Sequence, residues 1–361
     1  MQDEGVAKAN YEKKPERLDS LTGIKAISLL LLFWWHSPIP SPPVDLGARS
    51  CEILFIASGF LVGYNNYYRN VPCTWDYSIK YVLGKLKVFY PLYLVNVILN
   101  FVFFCRPIIS KFNAVVLPIH VCLIQAWFGS IDISMAYNGP AWFLSAVLFC
   151  YFLSPLLLKT TKKFKISVII FILVLIARFA FPFVSDRTSG QMFFVMEHTS
   201  PLIRCMEFYM GMLLCPVYFG ISDRIKGNKI MFSILELLTL VFCIASSIIM
   251  KDVPRTVFDL VFLILIFVFA FNCGIFSKML SSKIFILFSK IQYEFFIIHA
   301  FINGLVGRYL INYVNVWIAG IVDFVTIVIV SALYVRFVKA YSVKFMTKLF
   351  KGVEDYFEKD C

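Results

Sequence analysis

Lys25 and His36 are the first residues along the chain whose types and spacing suggest chemistry. They bracket the apolar run AISLLLLFWW. Eleven residues of α-helix bring the second side chain back to nearly the face of the first, about 16 Å further along the axis. One membrane-crossing helix can then present an ammonium near one surface and an imidazole near the other. Ionisable groups inside a span are costly and default to a functional reading, and a neutral imidazole is the natural base near pH 7. The plain alternative is a lysine that snorkels to the interface and a histidine that ends a helix. Glu52 follows in a second apolar run. Arg204 and Glu207, at i and i+3 in a later one, can orient a base, stabilise an oxyanion or simply neutralise each other. Lys85 and Lys87 lie in a basic segment, Trp142 and Ser145 near the start of one apolar run, and His299 in the middle of another. These too have plain readings: Glu52 can pair with Arg49 or Lys25, Trp142 can belong to an interfacial belt, and His299 can be a packing residue.

The elements that carry these residues must lie in lipid. Of 361 residues 60% are hydrophobic and only 16% charged, and the mean hydropathy is +0.79. That places the chain with polytopic membrane proteins. The 39 Phe and 18 Tyr suit lipid-facing and interfacial positions. The net charge of +12 reads as membrane topology rather than nucleic-acid binding, because the basic residues sit in short loops between apolar runs. Ten Cys show no CxxC pair, so neither a disulfide framework nor a metal site is expected. The first twenty residues are polar and no small-residue cleavage site follows, so the first run reads as an uncleaved signal anchor.

Eleven apolar runs fall near 21–38, 50–66, 88–105, 112–130, 140–158, 166–184, 200–218, 230–250, 256–275, 291–310 and 315–338. If all eleven crossed, the lysines at 159–165 and the basic tail would face outward, against the positive-inside rule. Leaving out the fourth run, which holds Pro118 and His120, puts 24 Lys and Arg inside and seven outside. The expected fold is therefore all-α: a polytopic membrane protein of about ten transmembrane helices with both termini cytoplasmic. Segment 106–139 becomes an outer excursion, re-entrant or interfacial. A cytoplasmic segment 1–20, a membrane domain 21–342 and a basic cytoplasmic tail 343–361 complete the layout.

Six short motifs in this order resemble acyltransferase family 3, the membrane O-acyltransferases. Lys25 and His36 resemble the family's Arg-x10-His helix, and Leu54-Phe55-Ile56-Ala57-Ser58-Gly59-Phe60 its "FFxxSGF" motif. The stretch from Lys85 to Tyr93 is similar to the basic segment before the family's Pro-Leu-Tyr. Trp142-Phe143-Leu144-Ser145, Glu207-Phe208-Tyr209-Met210-Gly211 and the Tyr293–His299 stretch resemble its Trp-x-Leu-Ser, Glu-Phe-x-x-Gly and Tyr-x-x-Tyr-Leu-x-His motifs. Lys25 stands where the family usually has Arg. Lys85 and Val88 occupy the two Arg positions of the family's Arg-x-x-Arg-x-x-Pro, and Val147 a frequent Glu. Lysine keeps the charge but loses the bidentate fork of arginine.

The resemblance implies an acyl-CoA donor, with acetyl-CoA as co-substrate and no permanently bound cofactor. It implies a hydroxyl acceptor on an extracytoplasmic or lipid-linked glycan, and the inner membrane of a bacterium as the location. Lys25, Lys85 and Lys87 are the cations expected to meet the CoA phosphates at the inner face. His36, with Glu52 and Arg204, is the expected catalytic group; Trp142, Ser145, Glu207 and His299 are expected to line the acceptor cleft. Ser58-Gly59 reads as a close helix contact rather than a nucleophile. Two other function classes are a secondary transporter and a catalytically inactive scaffold or sensor. The first would favour two symmetric halves with paired broken helices, which the sequence does not display. Hydrolysis of acetyl-CoA that depends on His36 would separate the enzyme from both.

Overall fold

The computed structural model describes residues 15–40, 46–105, 110–185, 190–225, 227–250 and 253–359. Residues 1–14 and three of the seven cations expected outside, Arg106, Arg187 and Lys251, lie outside these ranges. Among the described residues all regular structure is helical. The order is α1 (Asp19–His36), α2 (Ser50–Asn66), α3 (Trp75–Phe104), α4 (Lys111–Val121), α5 (Trp142–Leu158), α6 (Phe164–Ser185), α7 (Gly190–Thr199) and α8 (Pro201–Leu213). It continues with α9 (Cys215–Ile225), α10 (Lys229–Ile249), α11 (Arg255–Ala270), α12 (Ile275–Leu280), α13 (Lys283–Ser289), α14 (Gln292–Tyr309), α15 (Val316–Leu333) and α16 (Lys339–Lys359). Local sequence sets several starts: Thr74 accepts from the Tyr77 amide at 3.3 Å, Ser110 from Asn113 at 3.1 Å and Asn228 from Met231 at 3.0 Å.

Six helical stretches are long and apolar enough to cross a membrane: Trp75–Phe104, Gly139–Lys162, Phe164–Pro182, Pro201–Ser222, Lys229–Ile249 and Val316–Val353. A seventh arises if α13 and α14, bent by 69° at their junction, form one span. The other expected spans correspond to α1, α2 and α11, apolar helices of 18, 17 and 16 residues that are not among these stretches. The fourth apolar run forms α4, whose 11 residues cover about 16 Å against a hydrocarbon core of about 30 Å. Its end is tied to the middle of α3: Tyr93 donates to the His120 carbonyl at 2.6 Å and Tyr90 to that of Val121 at 2.9 Å. After α15 the chain does not leave the helix near 338–342. It passes through a π-helical turn, Tyr334–Val338, and continues as α16, so the expected tail is an amphipathic helix.

The helices divide by the face they show. α6, α10 and α15 leave rows such as Ile169, Leu173 and Ile176 exposed, as lipid-facing helices do. α2 and α8 pack more extensively than any other pair. Gly59 sits against the carbonyl of Phe208 and Gly211 against that of Ile56, where an added Cβ would collide with backbone. The Ser-Gly-Phe motif thus interlocks with the Glu-Phe-x-x-Gly motif, as small-residue helix contacts in membranes do. The nine described cysteines are free thiols.

Candidate active site

One face of α1 borders two cavities in succession. Lys25 and Leu29 line a cavity of about 260 Å³. Leu32, Trp35 and His36 line another of about 620 Å³. These positions recur at helical spacing, so a single helix face runs from the ammonium to the imidazole. Between the cavities stands an aromatic septum. The rings of Phe55 and Phe143 lie 4.4 Å apart and those of Phe143 and Phe296 5.2 Å apart, centroid to centroid. Phe296 borders both cavities.

In the larger cavity, the His36 Nδ1 lies 2.9 Å from the Leu32 carbonyl oxygen. A carbonyl only accepts, so Nδ1 carries the proton of the neutral ring and Nε2 keeps its lone pair. The ring of His299 lies 5.4 Å away, centroid to centroid. Its Nδ1 is likewise held, 2.6 Å from the Phe296 carbonyl oxygen, and its buried Nε2 has no hydrogen-bond partner. His299, weighed from the sequence as a packing residue or a substrate ligand, is therefore the neighbour of the candidate base. Asn303, one turn on, donates to the His36 carbonyl at 3.1 Å and ties α14 to the end of α1.

Behind this cavity lies a buried ionic cluster. Arg204 donates from Nη1 to both Glu207 oxygens, at 2.8 and 2.7 Å, from Nε to the His198 carbonyl at 2.8 Å and from Nη2 to the Glu197 carbonyl at 2.9 Å. Its guanidinium thus fastens α7 to α8. The Arg178 Nε lies 3.0 Å from Asp259, joining α6 to α11. Glu52 accepts from Arg255 Nη1 at 2.7 Å and lies 3.8 Å from Arg204. Such charges are tolerated in a dry interior only when paired. The His198 ring packs against Trp142 at 4.8 Å, and burial together with Arg255 and Arg204 holds its imidazole well below the ordinary value.

The expected residues divide accordingly. His36 and Trp142 line the larger cavity, whereas Arg204, Glu207 and Glu52 stand behind it. The cation at the cavity wall is Arg255, and Glu52 pairs with it. Ser145 is not at this site. It lines a separate apolar groove of about 610 Å³ with Tyr90, Trp127 and Met346. Lys25 has no anionic partner among the described residues. Lys85 is close enough to repel it and lies 4.9 Å from the Tyr151 ring that lines the same cavity. Lys87 borders neither cavity. His198, Arg255, Arg178 and Asp259 belong to none of the motifs. The one legible signal was that a lone Asp or Arg in an apolar run requires a buried partner.

No curated protein and no solved structure matches the chain. The family model described as an acyltransferase domain matches residues 18–336, which takes in both cavities, the septum and the ionic cluster. The chain belongs to acyltransferase family 3, as a membrane acyltransferase.

Proposed function

We propose that this protein moves an acyl group, acetyl in the simplest case, from cytoplasmic acyl-CoA to a hydroxyl of an extracytoplasmic or lipid-linked glycan. One observation carries the reading: α1 sets Lys25 and His36 on one face but in two cavities, with the Phe296 septum between them. Two converging ammonium groups without a carboxylate suit a polyanion, and CoA is one. Lys25 and Lys85 hold its phosphates, Lys87 adds charge nearby, and the pantetheine arm lies in the smaller cavity. The acceptor enters the larger cavity beside Trp142. His36 Nε2 takes the proton of the hydroxyl as its oxygen attacks the thioester carbonyl. Arg255, held by Glu52, stabilises the oxyanion that forms. The C–S bond then breaks, and the proton on His36 passes to the thiolate of CoA.

The topology that suits this reading has ten spans, both termini cytoplasmic and α4 re-entrant from outside. The 24-to-seven division of basic residues supports it, as does the shortness of α4. In this reading the membrane domain and the α16 tail form one unit in a bacterial inner membrane. The test is release of CoA thiol by purified protein supplied with acetyl-CoA and a sugar hydroxyl. Release in the wild type and its loss in His36→Gln are expected. Absence of release from both, with the substrate instead carried into proteoliposomes, would favour a transporter.

A further inference from the structure

The septum separates more than two volumes. The larger cavity reaches Trp35, 41% exposed at the end of α1, and therefore communicates with the surroundings on that side. The smaller one is lined by apolar side chains such as Leu29, Leu54 and Val147 together with Lys25, Ser58 and Gln292. Water of the larger cavity reaches a thioester lying there by way of the aromatic row of Phe55, Phe143 and Phe296. Of these three, Phe296 alone borders both cavities. Its own backbone carbonyl also holds the His299 imidazole, and its ring lies 5.8 Å from the ring of that histidine.

We infer that Phe296 is the specificity-determining residue of acyl transfer: it admits a short acyl group to His36 and keeps the thioester from the water of the larger cavity. This rests on the function proposed above. Two physical effects follow from its position. A bulky ring at the crossing point limits the chain that can pass, since hydrophobic pockets discriminate by about tenfold or more per misfitted methylene. The same ring excludes water from the carbonyl, and exclusion of water suppresses hydrolysis of a reactive donor. With the ring removed, water replaces the hydroxyl: its oxygen bonds the acyl carbon, the C–S bond breaks, and carboxylic acid and CoA thiol are released. No further reactant is needed.

The experiment compares wild type, Phe296→Ala and Phe296→Leu with acetyl-, butyryl- and octanoyl-CoA, each with and without acceptor. Folding is checked by monodisperse elution in detergent, and Phe296→Leu keeps an apolar side chain should the alanine variant fail to fold. The expected results are at least a tenfold rise in acceptor-independent thiol release and a similar rise in the octanoyl-to-acetyl ratio of kcat/KM. The leucine variant should lie between. A purely structural phenylalanine would lower all donors together. Unchanged chain selectivity and unchanged hydrolysis in both variants, with the wild type active, would overturn the inference. A wild type without transfer would instead overturn the proposed function.

Discussion

His36 and His299 face each other with ring centroids 5.4 Å apart, and each commits Nδ1 to a carbonyl of its own helix. Both neutral rings therefore leave Nε2 unprotonated, so neither can donate to the other. His36 opens onto the larger cavity, whereas His299 is fully buried beside it and does not line the cavity. His36→Gln keeps hydrogen bonding but not basicity and should lose about two to four orders of magnitude in kcat. His299→Gln should retain measurable turnover with altered pH dependence, because it changes only the neighbour of the base. Rates of CoA release for the two variants over pH 5–9 check both statements. Equal losses would make the pair a single unit.

The two arginines near the cavity should separate in their effects. Arg204 uses its guanidinium on Glu207 and two carbonyls of α7. Removing one partner of such a buried pair typically costs about 3–5 kcal/mol, so Arg204→Ala should lower the thermal midpoint sharply. Arg255 reaches the cavity wall with 15% of its side chain exposed. Arg255→Ala leaves buried Glu52 with Arg204, 3.8 Å away, and should lower the midpoint too. The drop should be smaller than in Arg204→Ala, which loses four hydrogen bonds. Arg255→Ala should in addition lose about two to three orders of magnitude in kcat, as removal of an oxyanion donor does. Melting curves and turnover of both variants decide this.

On the donor side, Lys25→Met should weaken binding of CoA itself, measured by calorimetry, while Lys25→Arg keeps it, since the charge remains. Lys85→Met should weaken CoA in the same direction, and Lys87→Met less, because Lys87 borders neither cavity. Desulfo-CoA should bind like CoA if the phosphates supply the contact. Unaltered affinity in a Lys25/Lys85 double variant would remove the cation site from the proposal.

His198 gives a pH signature. Burial with Arg255 and Arg204 nearby lowers its pKa in the fold below the ordinary value of 6.5. A folded pKa below the unfolded one means that the unfolded chain binds the proton more readily. The contribution of this residue to stability is therefore fully present above about pH 6.5 and is lost as pH falls below it. Thermal midpoints should decline between pH 7 and 5 in the wild type. The decline should be shallower in His198→Asn, which has nothing to titrate there.

The membrane fold was legible because composition and run length state it directly, and the Lys25–His36 face because eleven residues return to one side of a helix. The close contact at Gly59 was legible too, since small residues mark close helix approach. What the chain order hid was pairing across space. Glu52 finds Arg255 203 residues away, and no local spacing announces such a bond. Ser145 shows the converse: three residues from Trp142 in the same motif, it lines a different groove. The length of the last helix was hidden because α16 is amphipathic rather than apolar throughout, and charge in its sequence reads as a tail.

The backbone contact of Gly59 and Gly211 has a mechanical consequence. With carbonyls pressed against both glycines, α2 and α8 have no room to slide. The groups they carry, Phe55, Glu52, Arg204 and Glu207, behave as one immovable block. Phe296 and His299 ride instead on α14, whose axis breaks by 69° from α13 just before Gln292. A bend of that kind is a place where a helix can pivot, so any traffic between the cavities draws its motion from α14. A disulfide pinning α14 to α1 should then arrest turnover without touching the charged groups, whereas one pinning α2 to α8 should change nothing.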